Sequence, residues 1–426
     1  MIPRGVYLYI RLATFKSSLR VAQRHSLTAF LTWLLYAHYF NIVKTYGLCY
    51  TLLFMKTLFL GQLGLRAGMG QPKSSREQRL EMLGRALVDA GHSVTILGTK
   101  PFTDATITNF HGIQLRLKPS LNPEKAGGWL YIVASLLTLW RQQPSVAHIH
   151  SWRMAALVSI AALLSPETKF VWTIDALPRQ YHFVARLIAR QAHRVCDSIT
   201  VPTRVLQYQL LTAYRVSTYY IPDGYVPPVL KDLPLKTFSL RNNQYTVLLA
   251  TNPDHIKSAI RAYATLKTAK KLVILSEPSV AWQRLLHKKS FVYFIGHKTG
   301  RQLHTLIRHA HAVIAYPEPA QLDVLLQAMD SGRRIVAAND PLFQETLGLT
   351  ATYFNPSKVK DITDALQFGL KQANVRGIKA RTRAQNHFTW KRIVPEYLTL
   401  YRHNELAVVP IDSARQFAYG RTGTAQ

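Results

Sequence analysis

The chain has 426 residues, 48% hydrophobic and 18% charged, which excludes a disordered polypeptide and exceeds one ordinary core, so two domains are expected. Lys and Arg number 53 against 22 Asp and Glu, and a net charge of +31 favours anionic partners: lipid headgroups, phosphate-bearing substrates or nucleic acid. Cys49 and Cys196 are the only cysteines, which excludes a disulfide framework and an all-cysteine metal site and fits a reducing compartment.

Residues 1–54 form a basic, apolar extension without a single acid. Its apolar run Leu27–Val43, broken by His38 and Asn41, is near the lower length limit for a bilayer span. No small-residue cleavage site follows, so a secretory signal is not expected. A membrane anchor, an interfacial helix and a true start at Met55 (MKTLFLG) all remain open for this stretch.

Leu58–Leu60 predicts a short strand ending at Gly61, followed by a glycine-containing loop. Ser74 with Glu77 and Ser75 with Gln78 offer overlapping capping boxes for a helix that carries Leu80, Leu83, Leu87 and Val88 on one face and stops at Gly91. His92–Leu97, Val146–His150, Phe170–Ile174 and Val195–Val201 read as further strands. Gln180–His193 reads as an amphipathic helix with Arg186, Arg190 and Arg194 in a row. That row is either a solvated face or a membrane-surface patch. Tyr220–Gly224 is a turn that closes the first domain, and Pro227–Leu240 a linker rich in Pro and Lys.

The second domain opens with strand Thr246–Ala250, then Lys271–Leu275 and Phe291–Ile295, the last ending at Gly296. A helix over Arg301–Ala310 precedes the most informative stretch. There Ala312–Tyr316 is strand-like, a proline loop follows, Gln321–Met329 is helix-like, Ser331-Gly332 stops it, and Ile335–Ala338 is a second apolar run. Strand, loop, helix and strand make a βαβ unit, whose ligand crevice lies at the loop. The expected architecture is α/β, with two Rossmann-like, doubly wound parallel-sheet domains facing a cleft. The expected divisions are 55–226 for the N-terminal domain, 227–240 for the linker, 241–389 for the C-terminal domain, 390–405 for a closing helix and 406–426 for a tail.

This order, with Ala328-Met329 and Gly332, resembles the C-terminal signature of GT-B glycosyltransferases of family 4, roughly P-S-x-x-E-G-F-G-L followed by E-A-M-A-x-G-x-P-V. The first domain is similar too. Ser74 and Ser75 stand at the family's Gly-Gly positions, Val146–His150 resembles its D-V-V-H-x-H strand, and Tyr220–Gly224 resembles its I-P-N-G turn. Trp390–Tyr401 matches its closing helix, which in that fold crosses back to the first domain. Three features depart from the pattern. Pro319 and Gln327 replace the two family glutamates, Asp175 stands where histidine is usual, and the Ala250–Lys257 loop lacks the well-aligned Arg and Lys of the diphosphate grip.

The resemblance implies transfer of a sugar from a nucleoside diphosphate donor to a cell-envelope glycan or lipid-linked acceptor, with retention of configuration. A catalytically degenerate binding or scaffold relative is the alternative. Expected catalytic residues are His150, Asp175 and Glu318. Expected donor contacts are Ser74, Ser75, Gly296, Lys298, Ala320, Gln321, Leu322 and Gln327, because free N–H groups at helix starts hold diphosphates and an amide can hold a ribose hydroxyl. Capped helix ends, a turn aspartate and surface lysine or glutamine side chains are the plainer readings of the same positions. No metal-binding spacing and no Walker loop appear, so no cofactor or metal is expected and the nucleotide sugar is substrate. No helix-turn-helix, zinc finger or aromatic RNA-binding strand accompanies the charge, so no specific nucleic-acid partner is expected. The expected location is cytoplasmic, with peripheral attachment to the inner face of the cell membrane left open.

Overall fold

The computed structural model describes residues 54–402, apart from 63, 66–74, 100–102, 105, 119–127, 179–181, 228–230, 267, 277–289, 299 and 318–321. The chain divides into two units, Met1–Met55 and Lys56–Gln426, and every described element falls in the second. The readings of the 1–54 extension and the 406–426 tail therefore lie almost wholly outside the described residues.

The first lobe is built on eight strands: β1 (Lys56–Leu60), β2 (Ser93–Gly98), β3 (Asn109–Phe110), β4 (Ile113–Leu117), β5 (Val146–Ile149), β6 (Lys169–Thr173), β7 (Ser198–Val201) and β8 (Tyr219–Tyr220). Their order is β3-β4-β2-β1-β5-β6-β7-β8, parallel throughout except for the β3–β4 pair. The central strands are short apolar runs buried along their whole length, as a sheet covered on both faces requires. Helix α1 (Ser75–Asp89) joins β1 to β2. It ends in a Schellman closure, with Gly91 at φ +83°, its N–H on Val88 O and the N–H of His92 on Leu87 O, both at 2.9 Å. Helices α2 (Trp129–Gln142), α3 (Trp152–Ala156), α4 (Val158–Leu164), α5 (His182–Val195) and α6 (Arg204–Gln209) complete the lobe.

The second lobe has six parallel strands: β9 (Tyr245–Leu249), β10 (Lys271–Ile274), β11 (Val292–Phe294), β12 (Ala312–Ala315), β13 (Arg334–Ala338) and β14 (Thr352–Phe354), ordered β11-β10-β9-β12-β13-β14. Around them lie α7 (Pro253–Ala264), α8 (Gly300–Arg308), α9 (Leu322–Asp330), α10 (Pro341–Leu347), α11 (Val359–Lys371) and α12 (Val375–His387). In each sheet the strand order reverses beside the first strand, between β1 and β5 and between β9 and β12. Loops at the C-terminal ends of these strands are where such sheets take ligands.

The lobes meet where the N–H of Tyr225 donates to Phe388 O at 2.9 Å. Gly224 lies so close to the Trp390 ring that a Cβ there would come within 2.8 Å of it, so only glycine fits. Helix α13 (Trp390–Arg402) then returns to the first lobe and packs on α1. The fold is thus α/β with two Rossmann-like sheets, as the element pattern implied, and a C-terminal helix crossing back, as the family resemblance implied.

Two details differ from expectation. Val195–Val201 is not one strand: Val195 ends α5, Cys196 still donates to Ala192 O at 2.7 Å, and pairing begins at Ser198. The end of the expected linker is core, since Phe238 and Leu240 pack in the main apolar cluster of the second lobe. Among the described residues no helix is long and apolar enough to cross a membrane.

Candidate functional site

The C-terminal ends of β5 and β6 open into a cavity of about 240 Å³. His150 follows β5 and Asp175 follows β6, and both line it together with Arg76 from the first turn of α1, Trp152 from α3 and Trp172 from β6. Two of the three expected catalytic residues therefore share one wall. Trp152 stands edge-on to Trp172, with centroids 4.9 Å apart, and its Nε1 donates to Ala176 O at 3.1 Å. The aromatic walls are thus fixed, as a sugar-stacking surface needs.

Behind the cavity lies a buried ion network. Arg79 donates from one terminal nitrogen to Asp175 Oδ1 at 2.6 Å and from Nε to Asp223 Oδ1 at 2.9 Å, while Arg76 donates to Asp175 Oδ2 at 2.7 Å. The Arg79 side chain is only 1% exposed. Burial opposes its charge, but the two carboxylates more than restore it and raise its pKa. Burial also pushes Asp175 up, yet Arg79 and Arg76 outweigh it and hold this carboxyl below its ordinary value. For Asp223 burial wins and its pKa rises. Asp175 is consequently an anion with both oxygens engaged, better suited to holding guanidiniums than to taking a proton.

His148 in β5 and His150 just after it differ in kind. His148 has the Tyr401 hydroxyl 2.7 Å from Nδ1 and Thr173 Oγ1 2.7 Å from Nε2, which ties α13 to the first sheet. Burial, then the nearby Arg79, lowers its pKa to about 3. His150 has its ring tilted against that of His148 at 4.2 Å, is 3% exposed, and neither of its ring nitrogens has a hydrogen-bond partner among the described residues. Burial, then His148, Arg79 and Arg76, holds its pKa well below the ordinary value. A neutral imidazole with both nitrogens unpartnered at a cavity wall is a hydrogen-bonding group awaiting a ligand.

In the second lobe, Leu322 opens α9, and Gln327 donates from Nε2 to Asp323 Oδ2 at 2.9 Å within that helix. Asp323 also bonds Gln78 of α1, so the first turns of α1 and α9 meet across the lobes. Burial raises the pKa of Asp323 against these two bonds. Gly296 follows β11 at φ +72°, and Lys298 beyond it is half-buried. Glu345 of α10 makes a second link, accepting the N–H groups of Arg204 at 2.9 Å and of Val205 at 3.3 Å at the start of α6. Ser74, Glu318, Ala320, Gln321 and the side chain of Ser75 lie outside the described residues. Among the described residues no group of three or more His, Cys, Asp or Glu could hold a metal ion.

Sequence reasoning missed Arg76, Arg79 and Glu345. Arg76 and Arg79 sit three apart on the first turns of α1, a spacing that puts both on one helix face, and Asp175 and Asp223 were the carboxylates free to meet them. Glu345 carried no comparable signal.

Residues 77–227 match the sequence model of Glycosyltransferase Family 4. Sucrose-phosphate synthase from Thermosynechococcus elongatus is 17% identical and superimposes with a TM-score of 0.63, over 82% of this chain and 98% of that one. HepE from Anabaena, in complex with UDP and glucose, is 16% identical with a TM-score of 0.62, over 81% and 99%. A glycosyltransferase from Rickettsia africae is 13% identical with a TM-score of 0.63, over 82% and 98%. No curated protein sequence matches the chain. The fold is GT-B.

Proposed function

We propose that this protein transfers a sugar from a nucleoside diphosphate donor to a hydroxyl of a cell-envelope glycan or lipid-linked acceptor, with retention of configuration, on the cytoplasmic side of the membrane. The observation that carries this reading is His150, neutral, buried and unpartnered on the cavity wall. A ligand hydroxyl supplies the hydrogen bond it lacks. The cavity of about 240 Å³ is smaller than the roughly 300–1,000 Å³ of pockets that enclose drug-sized ligands, so it takes one sugar ring and not a whole nucleotide sugar.

The nucleotide then belongs to the second lobe, on the loops after β9, β11 and β12, with Gly296, Lys298 and the start of α9 as contacts. The UDP and glucose bound by HepE support a nucleoside diphosphate sugar as donor. As the diphosphate leaves, its charge is met by N–H groups at the first turns of α1 and α9 and by Arg76 at the cavity wall. In this proposal Asp175 serves by positioning Arg76 and Arg79, and Glu318 keeps the catalytic candidacy that the family resemblance implies. The proposal assigns no resident metal or cofactor.

A second reading, a relative that binds without turnover, draws on Gln327. This residue stands where the family carries glutamate, and its amide is engaged by Asp323. A screen of nucleoside diphosphate sugars for hydrolysis, run beside a binding titration, separates the two. Turnover supports the transferase, binding without turnover supports the second reading, and neither overturns both.

A further inference from the structure

Helices α2, α4 and α5 lie side by side over one face of the first sheet and share its apolar core. Gln191 of α5 donates to Ser159 Oγ of α4 at 2.9 Å, and Gln143, which closes α2, donates to Leu164 O at the end of α4, also at 2.9 Å. Their outer surfaces are apolar as well as their inner ones, with Tyr131, Ile132 and Leu139 of α2 already in the core. Helix α2 turns Ser135 and Thr138 inward, with the hydroxyls returned to its own Tyr131 and Ala134 carbonyls at 2.7 and 2.6 Å. It turns Leu130, Val133, Leu137 and Trp140 to solvent. Helix α5 buries three alanines, Ala185, Ala189 and Ala192, and exposes Phe183, Val184 and Leu187. Helix α4 adds Ile160 and Leu163, the latter 83% exposed. Nine of the fifteen exposed large apolar side chains among the described residues sit on these three helices. Scattered apolar residues need no explanation, but a contiguous face of them does.

The charge on this face has one sign. The three helices contain no Asp or Glu, while Arg141, Arg186 and Arg194 are exposed beside the apolar stripes. Arg190 lies in the same row as the last two, with its Nε on Tyr214 O at 3.1 Å. On the α5 wheel, Phe183, Leu187 and Arg194 point directly away from the buried alanines. A second protein chain would be met by arginines without acids of this chain to balance them, whereas anionic lipid matches both the apolar and the cationic component.

We propose that this face docks on an anionic lipid bilayer, its apolar side chains entering the headgroup boundary and its arginines meeting lipid phosphates and carboxylates. Helix α3 packs against α5, and its Trp152 lines the His150 cavity, so a lipid-borne acceptor reaches that cavity from the docked side. Only this last step rests on the transferase reading; docking is read without turnover.

The test is co-sedimentation of the full chain with phosphatidylcholine vesicles, with and without phosphatidylserine. The chain is expected to pellet with the serine-containing vesicles. Combined Trp140→Ser, Phe183→Ser and Leu187→Ser should weaken that association at least about tenfold, with the melting temperature unchanged because these side chains are exposed. Combined Arg186→Glu and Arg194→Glu should do the same on serine-containing vesicles, less so at high salt. Undiminished binding of both variants, or no binding of the unmodified chain, overturns the proposal. So does a self-associated chain in sedimentation velocity that the serine variant renders monomeric, which would assign the face to a second copy.

Discussion

Arg79 Nε donates to Asp223 Oδ1 at 2.9 Å, joining α1 to the turn that closes the first lobe. The same guanidinium also holds Asp175, so its removal would leave buried Asp223 without a cation and Asp175 with Arg76 alone. Arg79→Met is expected to cost about 3–5 kcal/mol of stability, read by chemical denaturation. Arg79→Lys should recover only part, since an ammonium cannot serve both carboxylates with a fork of donors. A loss below about 1 kcal/mol for Arg79→Met would remove this network from the account of stability.

Little of that network was legible in the sequence, for physical reasons. An arginine on a helix reads as a solvated residue, and Asp223 read as an ordinary turn residue in an I-P-x-G stop. Only the fold brings α1, β6 and the Asp223 turn together. The strands were legible because apolar runs bounded by Gly, Pro or Asn-Asp allow little else, and His150 was legible because it ends one of them. Helix α2 was missed because it is apolar on both sides, with Tyr131, Ile132 and Leu139 buried and Leu130, Val133, Leu137 and Trp140 exposed, so no polar face marks its period. The small edge strands β3 and β14 have too few residues to show a period. Val195–Asp197 misled because a helix end and a strand start run together without a glycine between them.

Stability should fall with acid, and His148 should account for part of the fall. Its folded pKa is depressed from 6.5 to about 3, so the unfolded chain binds the extra proton in between. Its contribution is fully present above 6.5 and is lost as pH falls toward about 3. In that window it supplies a slope of about 1.4 kcal/mol per pH unit. His148→Asn should therefore flatten the pH dependence of unfolding free energy by about that slope, whatever it does to the baseline. An unchanged slope would mean that His148 is protonated in the folded chain.

His150 and His148 should separate cleanly under substitution. His148→Ala removes two hydrogen-bonded contacts, one to the crossing helix, and is expected to lower stability by about 2–4 kcal/mol. His150→Ala removes no hydrogen bond made within the described residues, so its stability cost should be the smaller of the two. Its effect should appear instead as an about tenfold loss of transfer, the worth of one hydrogen bond to substrate. Full activity of His150→Ala would take the residue out of the site.

Glu345 should hold the lobes in the arrangement seen. Its carboxylate caps the start of α6 from the other lobe, and burial raises its pKa despite the two backbone donors. Glu345→Ala is expected to speed amide hydrogen exchange at Arg204 and Val205 and to cost about 1–3 kcal/mol. Unaltered exchange at those two amides would show that the lobes are held by other contacts.

The central claim is that the two lobes together hold a nucleoside diphosphate sugar. Isothermal titration of the full chain with a panel of such sugars tests it most directly. The account predicts saturable binding of at least one, weakened by about 1 kcal/mol in Gln327→Ala if the amide holds the ribose as expected. Absence of heat with every nucleoside diphosphate sugar, from a chain shown to be folded, would contradict it.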